Sequence, residues 1–304
     1  MSQRHALIDI VWMYLLAAII GVLAYVYVPV LVLIGPLEIW AGVPTERMGR
    51  FLIADLAMTF FIYGCSVAKK NGSAYDAYWS VIPFYLVLAL VWNSASQTVG
   101  WAQWATAILV SAWSWRLTLN WARGWTGWDH EDWRYVDFRK SHGRAFELTN
   151  LFGIHLFPTV IVFSGCLGLF WVFEPRERDA IWYALGLVVG FIGVALEFLA
   201  DNELARFRQR PTPSSEDILD TGIWGRLRYP NYLGEMMFWF GVTFCGFGAG
   251  APVGTIIGAL AMVALFVFAT IPMKEKHMAS RKPGFQDYCD RVPALWPRFR
   301  ERRS

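Results

Sequence analysis

Hydrophobic positions in this chain do not alternate with polar ones; they come in long unbroken runs separated by short charged segments. Eight runs read as bilayer-crossing helices, at about 8–34, 50–68, 78–92, 101–121, 151–173, 179–205, 232–250 and 252–273. The third is short for a hydrocarbon layer about 30 Å thick, so a tilted or partly re-entrant helix is expected there. Pro29 should kink or end the first span, and Pro83 and Pro158 should bend theirs. No repeat at solenoid spacing interrupts the pattern. It predicts an all-α, polytopic transmembrane bundle of about seven or eight spans, forming a single domain over residues 1–304.

Composition sharpens that reading. Of 304 residues 56% are hydrophobic and 17% charged, against about 25% charged in soluble domains. The first run is too long for a signal peptide. A net charge of +3 is too small to suggest nucleic acid as a partner. Cys65, Cys166, Cys245 and Cys289 show no C-x-x-C pairing and read as reduced thiols. Five scattered histidines offer no metal site. Walker A, H-E-x-x-H, G-x-S-x-G and G-x-G-x-x-G are all missing, which argues against P-loop, zincin and serine-hydrolase chemistry.

Lysines and arginines set the orientation. With the N-terminus in the cytosol, the outside receives only Arg47, Arg50, Arg176 and Arg178; every other Lys and Arg falls on the inner side. Both termini are therefore expected in the cytosol. The longest polar loops, 122–150 and 206–231, lie on that same side, where a polar ligand from the cytosol would bind.

Within the spans the polar residues fall into stripes. Arg116, Asn120 and Arg123 share one face of the fourth, with Trp113 a turn above. Glu197, Asp201, Leu204 and Arg208 share one face of the sixth. Glu197 lies deep in an apolar run, where a lone carboxylate costs several kcal/mol unless paired. It is read either as a partner of Arg116 or Arg206 or as an acceptor for a ligand, and both readings need a polar interior. The seventh helix should begin near 229–231, since Pro230 suits a first turn and its N–H groups, with Arg226 and Arg228, suit an anion. Glu235 lies just inside it. His277 and Arg281 are about one turn apart if the eighth span continues into the cytosol, while Arg298, Arg300, Arg302 and Arg303 read equally as a basic tail for anionic lipid. At the third span, Asp76 is flanked by Tyr75 and Tyr78, and Asp55 in the second span is a rival acid.

Four of these pieces, in order, resemble the steroid 5α-reductase superfamily: W-S-W-R-L at 113–117, the Glu197–Asp201 pair, L-R-Y-P-N-Y-L-G-E at 227–235, and the tail at 288–297 ending P-A-L-W-P. The likeness is nearest to a bacterial branch carried as a domain of unknown function. That branch also shows N-G-S-A-Y-D-A-Y-W-S, here at 71–80, and W-D-H-E-D-W-R-Y, here at 128–135. The resemblance covers roughly 50–298, leaving 1–49 peripheral. It implies an integral, multi-pass protein of the bacterial inner membrane, with NADPH bound from the cytoplasm and a lipophilic substrate arriving from the bilayer. By motif, Asp201, Arg208, Asn231, Glu235, Arg116, Arg123 and His277 match cofactor-contacting positions. Asn120, Glu197, Arg228, Tyr229, Tyr232 and Arg281 are expected at the same site, with Trp113, Trp79 and Asp55 beside the substrate. Glu197 stands where the steroid enzymes have asparagine, and Arg281 where tyrosine is usual.

Trp113 stands where the steroid enzymes carry the tyrosine that hydrogen-bonds the substrate carbonyl, and an indole cannot supply a proton there. The expected reaction is hydride transfer to a carbonyl-conjugated double bond. Asp76, held neutral by burial, acts with Tyr75 or Tyr78 as the donor. The rival is an S-adenosylmethionine-dependent, isoprenylcysteine-type or lipid methyltransferase, because those membrane enzymes carry a similar R-x-P-x-Y-x-G segment and tail.

Overall fold

A computed structural model describes residues 3–28, 45–94, 99–174, 178–211, 214 and 216–296. Among them every regular element is helical. Helix α1 (Gln3–Tyr27) lies against α2 (Thr45–Lys69), and a 3₁₀ turn (Gly72–Ala74) leads into α3 (Tyr75–Asn93), followed by α4 (Trp101–Gly124). Next come α5 (Trp133–His142), the short α6 (Phe146–Leu148), a π-helical stretch (Thr149–Leu156), α7 (Phe157–Gly165) and α8 (Leu169–Val172). Helices α9 (Ala180–Arg208) and α10 (Pro230–Gly248) precede a second broken rod: α11 (Ile257–Ala264), a π-helical stretch (Leu265–Thr270) and α12 (Ile271–Ala279). Helix α13 (Phe285–Arg291) ends the described chain's regular structure.

Six helical segments are long and apolar enough to cross a bilayer: Gln3–Tyr27, Glu46–Lys69, Gly72–Asn93, Trp133–Val172, Ala180–Arg208 and Val253–Ala279. This is an integral membrane protein. The other two of the eight expected spans, α4 and α10, have the length, at about 36 and 28 Å, but their apolar runs are diluted by polar residues and glycine.

Three expectations change. The third span is not short, because Asn71 caps the turn that starts it by accepting the Ser73 N–H (2.9 Å), so the helix begins well before residue 78. The fifth and eighth spans are not regular; each carries a π-helical stretch, and Pro158 stands where the first of these gives way to α7. Pro83, by contrast, sits inside α3 without ending it. Pro29, Arg176, the end of the first apolar run and the four arginines of the tail lie outside the described residues.

Two local devices position the site. The first is a glycine seam between α9 and α10. A Cβ on Gly241 would lie 2.5 Å from the Gly190 Cα, and one on Gly193 would lie 2.6 Å from the Gly234 carbonyl oxygen. Only hydrogen fits, so the backbones close on each other as small residues allow in membrane helices. The second is the docking of the 71–80 and 128–135 segments. Asn71 Nδ2 donates to the Trp128 and His130 carbonyls (2.9 and 3.0 Å), the Gly72 N–H to Glu131 Oε1 (2.9 Å), and the Asp132 N–H to Ser73 Oγ (2.9 Å).

Candidate functional site

The site grows from the stripes. On α9, Glu197 and Asp201 are one turn apart, and both turn toward Arg116 of α4. Arg116 hydrogen-bonds both carboxylates and lies 3.7 Å from Glu235 Oε2 of α10. Glu235 in turn accepts the indole N–H of Trp113 (3.0 Å) and of Trp239 (2.9 Å). The Arg116 side chain is 8% exposed and those of Glu197, Asp201 and Glu235 1%, 10% and 5%, so one guanidinium and three carboxyls share a nearly dry pocket. Arg116 Nε, Glu197 Oε1 and Asn231 Oδ1 are buried without a hydrogen-bond partner. Asn231 is one turn before Glu235 and shares its face of α10.

Below this knot the α9 stripe continues into a cavity of about 260 Å³. Leu204 and Arg208 line it, with Arg210, Arg228, Tyr229, Lys274 and Lys282 among the other walls. Arg208 makes no ion pair among the described residues. Lys274 Nζ donates to Tyr232 Oη at 3.3 Å and makes no ion pair within 4 Å among the described residues. Burial, then the neighbouring Arg208 and Arg210, push the Lys282 ammonium below its ordinary pKa. Such crowded cations favour an anion.

Arg228 has a different task. It donates to the Cys289 carbonyl (2.9 Å) and the Val292 carbonyl and pairs with Glu275 at 2.7 Å, while its own N–H donates to the Pro293 carbonyl (2.9 Å). With Tyr288 Oη donating to the Trp224 carbonyl (2.7 Å) and the Trp224 indole to the Ala200 carbonyl (3.0 Å), this straps the tail and the 206–231 loop beneath α9. Tyr229 and Tyr232 stack at 5.3 Å beside Lys274.

Other expected members do not join. Asn120 is half-buried and Arg123 exposed; they follow Arg116 on the same face of α4, one and two turns nearer its end. His277 stacks on Trp133, with ring centroids 3.7 Å apart, and with Arg281 lines a separate cleft of about 570 Å³ between α5 and α12. Trp113 is fully buried, stacked on Phe238 at 4.5 Å, and Trp79 packs edge-on against it at 6.2 Å; neither lines a described cavity.

The expected trio of Asp76, Tyr75 and Tyr78 is split. Successive helical residues point about 100° apart. Asp76 faces α5, where it accepts the Tyr135 hydroxyl and lies 3.3 Å from Arg134. Arg134 also clasps Asp132 at 2.8 Å; burial alone would raise that carboxyl's pKa, but the guanidinium holds it below the ordinary value. Tyr75 and Tyr78 face α2 and α7. Tyr78 Oη donates to Asp55 Oδ1 at 3.2 Å, and Tyr75 Oη is 2.6 Å from Thr159 Oγ1. Asp55 lines an apolar cavity of about 610 Å³ formed with residues of α1, α3 and α7, and its Oδ2 has no hydrogen-bond partner. Sequence reasoning missed Tyr135, Thr59, Thr159, Lys274 and Lys282. The i,i+4 spacing of Asp55 and Thr59 was a usable signal; the others depend on segments distant in sequence.

Over 278 residues the chain is 27% identical to an uncharacterized protein of Schizosaccharomyces pombe, covering 82% of this chain and 79% of that one. A stretch of 97 residues is 32% identical to Delta(14)-sterol reductase LBR of Gallus gallus, covering 31% of this chain and 14% of that protein. Another of 125 residues is 28% identical to the nickel-cobalt-cadmium resistance protein NccN of Alcaligenes xylosoxydans xylosoxydans, covering 40% of this chain and 55% of that one. No solved structure matches. Residues 62–292, which include the docked 71–80 and 128–135 segments, the Arg116 knot and the strapped loop, match the family described as proteins of unknown function, DUF1295, and the chain belongs to that family.

Proposed function

We propose that this protein is a membrane-embedded, NADPH-dependent oxidoreductase that reduces a carbonyl-conjugated C=C bond in a steroid or other lipophilic substrate. The observation that carries the reading is the α9 stripe, which runs from the buried Arg116 knot into a cavity walled by cations. The likeness to the steroid 5α-reductase superfamily and the stretch shared with a sterol reductase support the same chemistry.

The residues present fit a polyanionic dinucleotide. Arg208, Lys274 and Lys282 would take its phosphates, and the unpartnered Asn231 side chain and Asp201 would take its neutral polar groups. A cavity of about 260 Å³ is below the usual ligand-site range of about 300–1,000 Å³, so it accommodates the phosphate-bearing part alone. Arg116 orients Glu197 and Asp201 rather than binding ligand itself. When bound, NADPH would supply the hydride.

The substrate would sit in the apolar cavity of α1, α2 and α3, open to molecules dissolved in lipid. Asp55 is its one acidic wall residue, and Tyr78 holds Asp55 from behind. As hydride reaches the substrate, negative charge develops on the carbonyl oxygen. A donor aimed there lowers the barrier by about 3–4 kcal/mol. The Asp55–Tyr78 pair takes this role in place of Asp76, whose Oδ1 is engaged by both Tyr135 and Arg134. On this reading the cation-walled cavity faces the cytosol of a bacterial inner membrane, as the distribution of Lys and Arg favours.

Thermal shift of the purified protein tests the cofactor. NADPH should raise the melting temperature in proportion to occupancy, and Arg208→Ala should require about tenfold more NADPH for the same gain. Stabilisation by S-adenosylmethionine alone would replace the reductase with a methyltransferase.

A further inference from the structure

A buried threonine or serine in a membrane helix ordinarily returns its hydroxyl to the carbonyl one turn back. Thr106, Thr243 and Ser94 are buried hydroxyls that do so here, at 3.1, 2.9 and 2.9 Å. Thr59 of α2 and Thr159 of α7 do not; their hydroxyls meet each other at 2.9 Å. Thr159 also meets Tyr75 Oη at 2.6 Å, and Thr59 meets Tyr78 Oη at 3.5 Å, which itself reaches Asp55 Oδ1 at 3.2 Å. The result is a continuous file of four hydroxyls ending on one carboxyl. All five residues are buried, none more than 5% exposed.

We propose that Tyr75, Thr159, Thr59 and Tyr78 form a proton relay that reloads Asp55 at the apolar cavity. The proposal rests on the reductase reading, in which a proton must follow the hydride. Each hydroxyl is both donor and acceptor, so the file can pass a proton along without separating charge over a distance. Helical spacing fixes it: Asp55 and Thr59 are four apart on α2, Tyr75 and Tyr78 three apart on α3, and Thr159 bridges from α7. One end is the buried Tyr75, which belongs to the first turn of α3; the other is Asp55, which borders the cavity and whose Oδ2 has no hydrogen-bond partner.

In one cycle the Asp55 Oδ2–H bond breaks and its proton goes to the reduced substrate. Tyr78 then gives its proton to Oδ1, Thr59 gives to Tyr78, Thr159 to Thr59 and Tyr75 to Thr159, and a water admitted to Tyr75 by helix fluctuation replaces its proton. The net change is one proton moved from water to product. No electron moves along the file, every hydroxyl ends neutral, and rotation of the Asp55 carboxyl and of the hydroxyls restores the starting arrangement.

The test uses the full chain in lipid nanodiscs without added ligand. Asp55→Asn identifies the infrared carboxyl band of Asp55, and transfer to D₂O times its exchange. Thr59→Val and Thr159→Val should each slow that exchange by about tenfold or more, and Thr59→Ser and Thr159→Ser should restore it. Unchanged exchange in both valine variants overturns the relay, as does the lack of any Asp55-dependent carboxyl band. Neither readout involves NADPH, so an intact relay in a protein that ignores NADPH would sink only the reductase reading.

Discussion

Glu197 and Asp55 look alike in the sequence, each an acid inside an apolar run, yet the fold treats them oppositely. Glu197 lies where α9 and α10 are pressed together along glycines, and it is met by a full counter-charge, Arg116. Asp55 lies where α1, α2 and α3 leave a cavity, and it is met by a neutral phenol rather than a cation. A charge in a closed, dry contact needs a countercharge to be tolerated at all. Both acids keep one oxygen without a partner, but only Asp55 borders a cavity, where a ligand can meet it. The difference separates a polar group that holds the bundle together from one that is free to act.

The largest test of that contrast is Arg116→Met. It strips the only guanidinium from three buried carboxyls and should cost about 3–5 kcal/mol, read as a large fall in melting temperature. Asp55→Asn should shift stability by less than about 1 kcal/mol, because it removes an oxygen that has no partner. Equal losses in the two variants would erase the distinction.

Next in size is the seam. Gly241→Val puts a side chain where the Gly190 Cα stands 2.5 Å away and should cost about 1–3 kcal/mol or more by overpacking. Gly64→Ala on α2, where an added Cβ meets nothing within 4 Å, should instead leave stability unchanged or raise it by up to about 1 kcal/mol through helix propensity. Circular dichroism melts of both variants would show whether close packing is confined to α9 and α10.

Arg208→Ala sharpens the functional side. Exposed and without an ion pair among the described residues, it should change stability by no more than about 0.5 kcal/mol. NADPH binding should weaken by about tenfold, equivalent to about 1.4 kcal/mol, and the loss should shrink at high salt. Titration calorimetry at two ionic strengths measures both.

The smallest effect is at Lys282. Its folded pKa lies below the unfolded value of 10.5, so protonation disfavours the folded state. Its contribution to stability is present above the unfolded pKa and fades as pH falls through the folded one. The wild type should therefore gain melting temperature as pH rises toward 10.5, and Lys282→Gln should gain less.

Much of this was legible beforehand. The one-face spacing of 197, 201, 204 and 208 survives in α9, and the inward turn of Arg116 follows from its place amid apolar neighbours. Tyr75, Asp76 and Tyr78, expected as one group, meet different partners, because adjacency along a helix separates side chains around its axis. The glycines of α9 at 186, 190 and 193 went unread in the sequence, and their spacing gains its meaning only against α10.

What the sequence determined by itself is whatever repeats along one element. Long apolar runs demand helices, because a backbone in hydrocarbon must satisfy its own hydrogen bonds, and the helical period then sorts each helix into polar and apolar faces. Which face meets which was decided only by the tertiary structure. Asp76 belongs to Tyr135, Asp55 to Tyr78, and Arg116 to acids 81 and 85 residues away, because those partners come from different helices. Their meeting depends on how closely two backbones can approach, a property of the packed pair that neither helix carries alone.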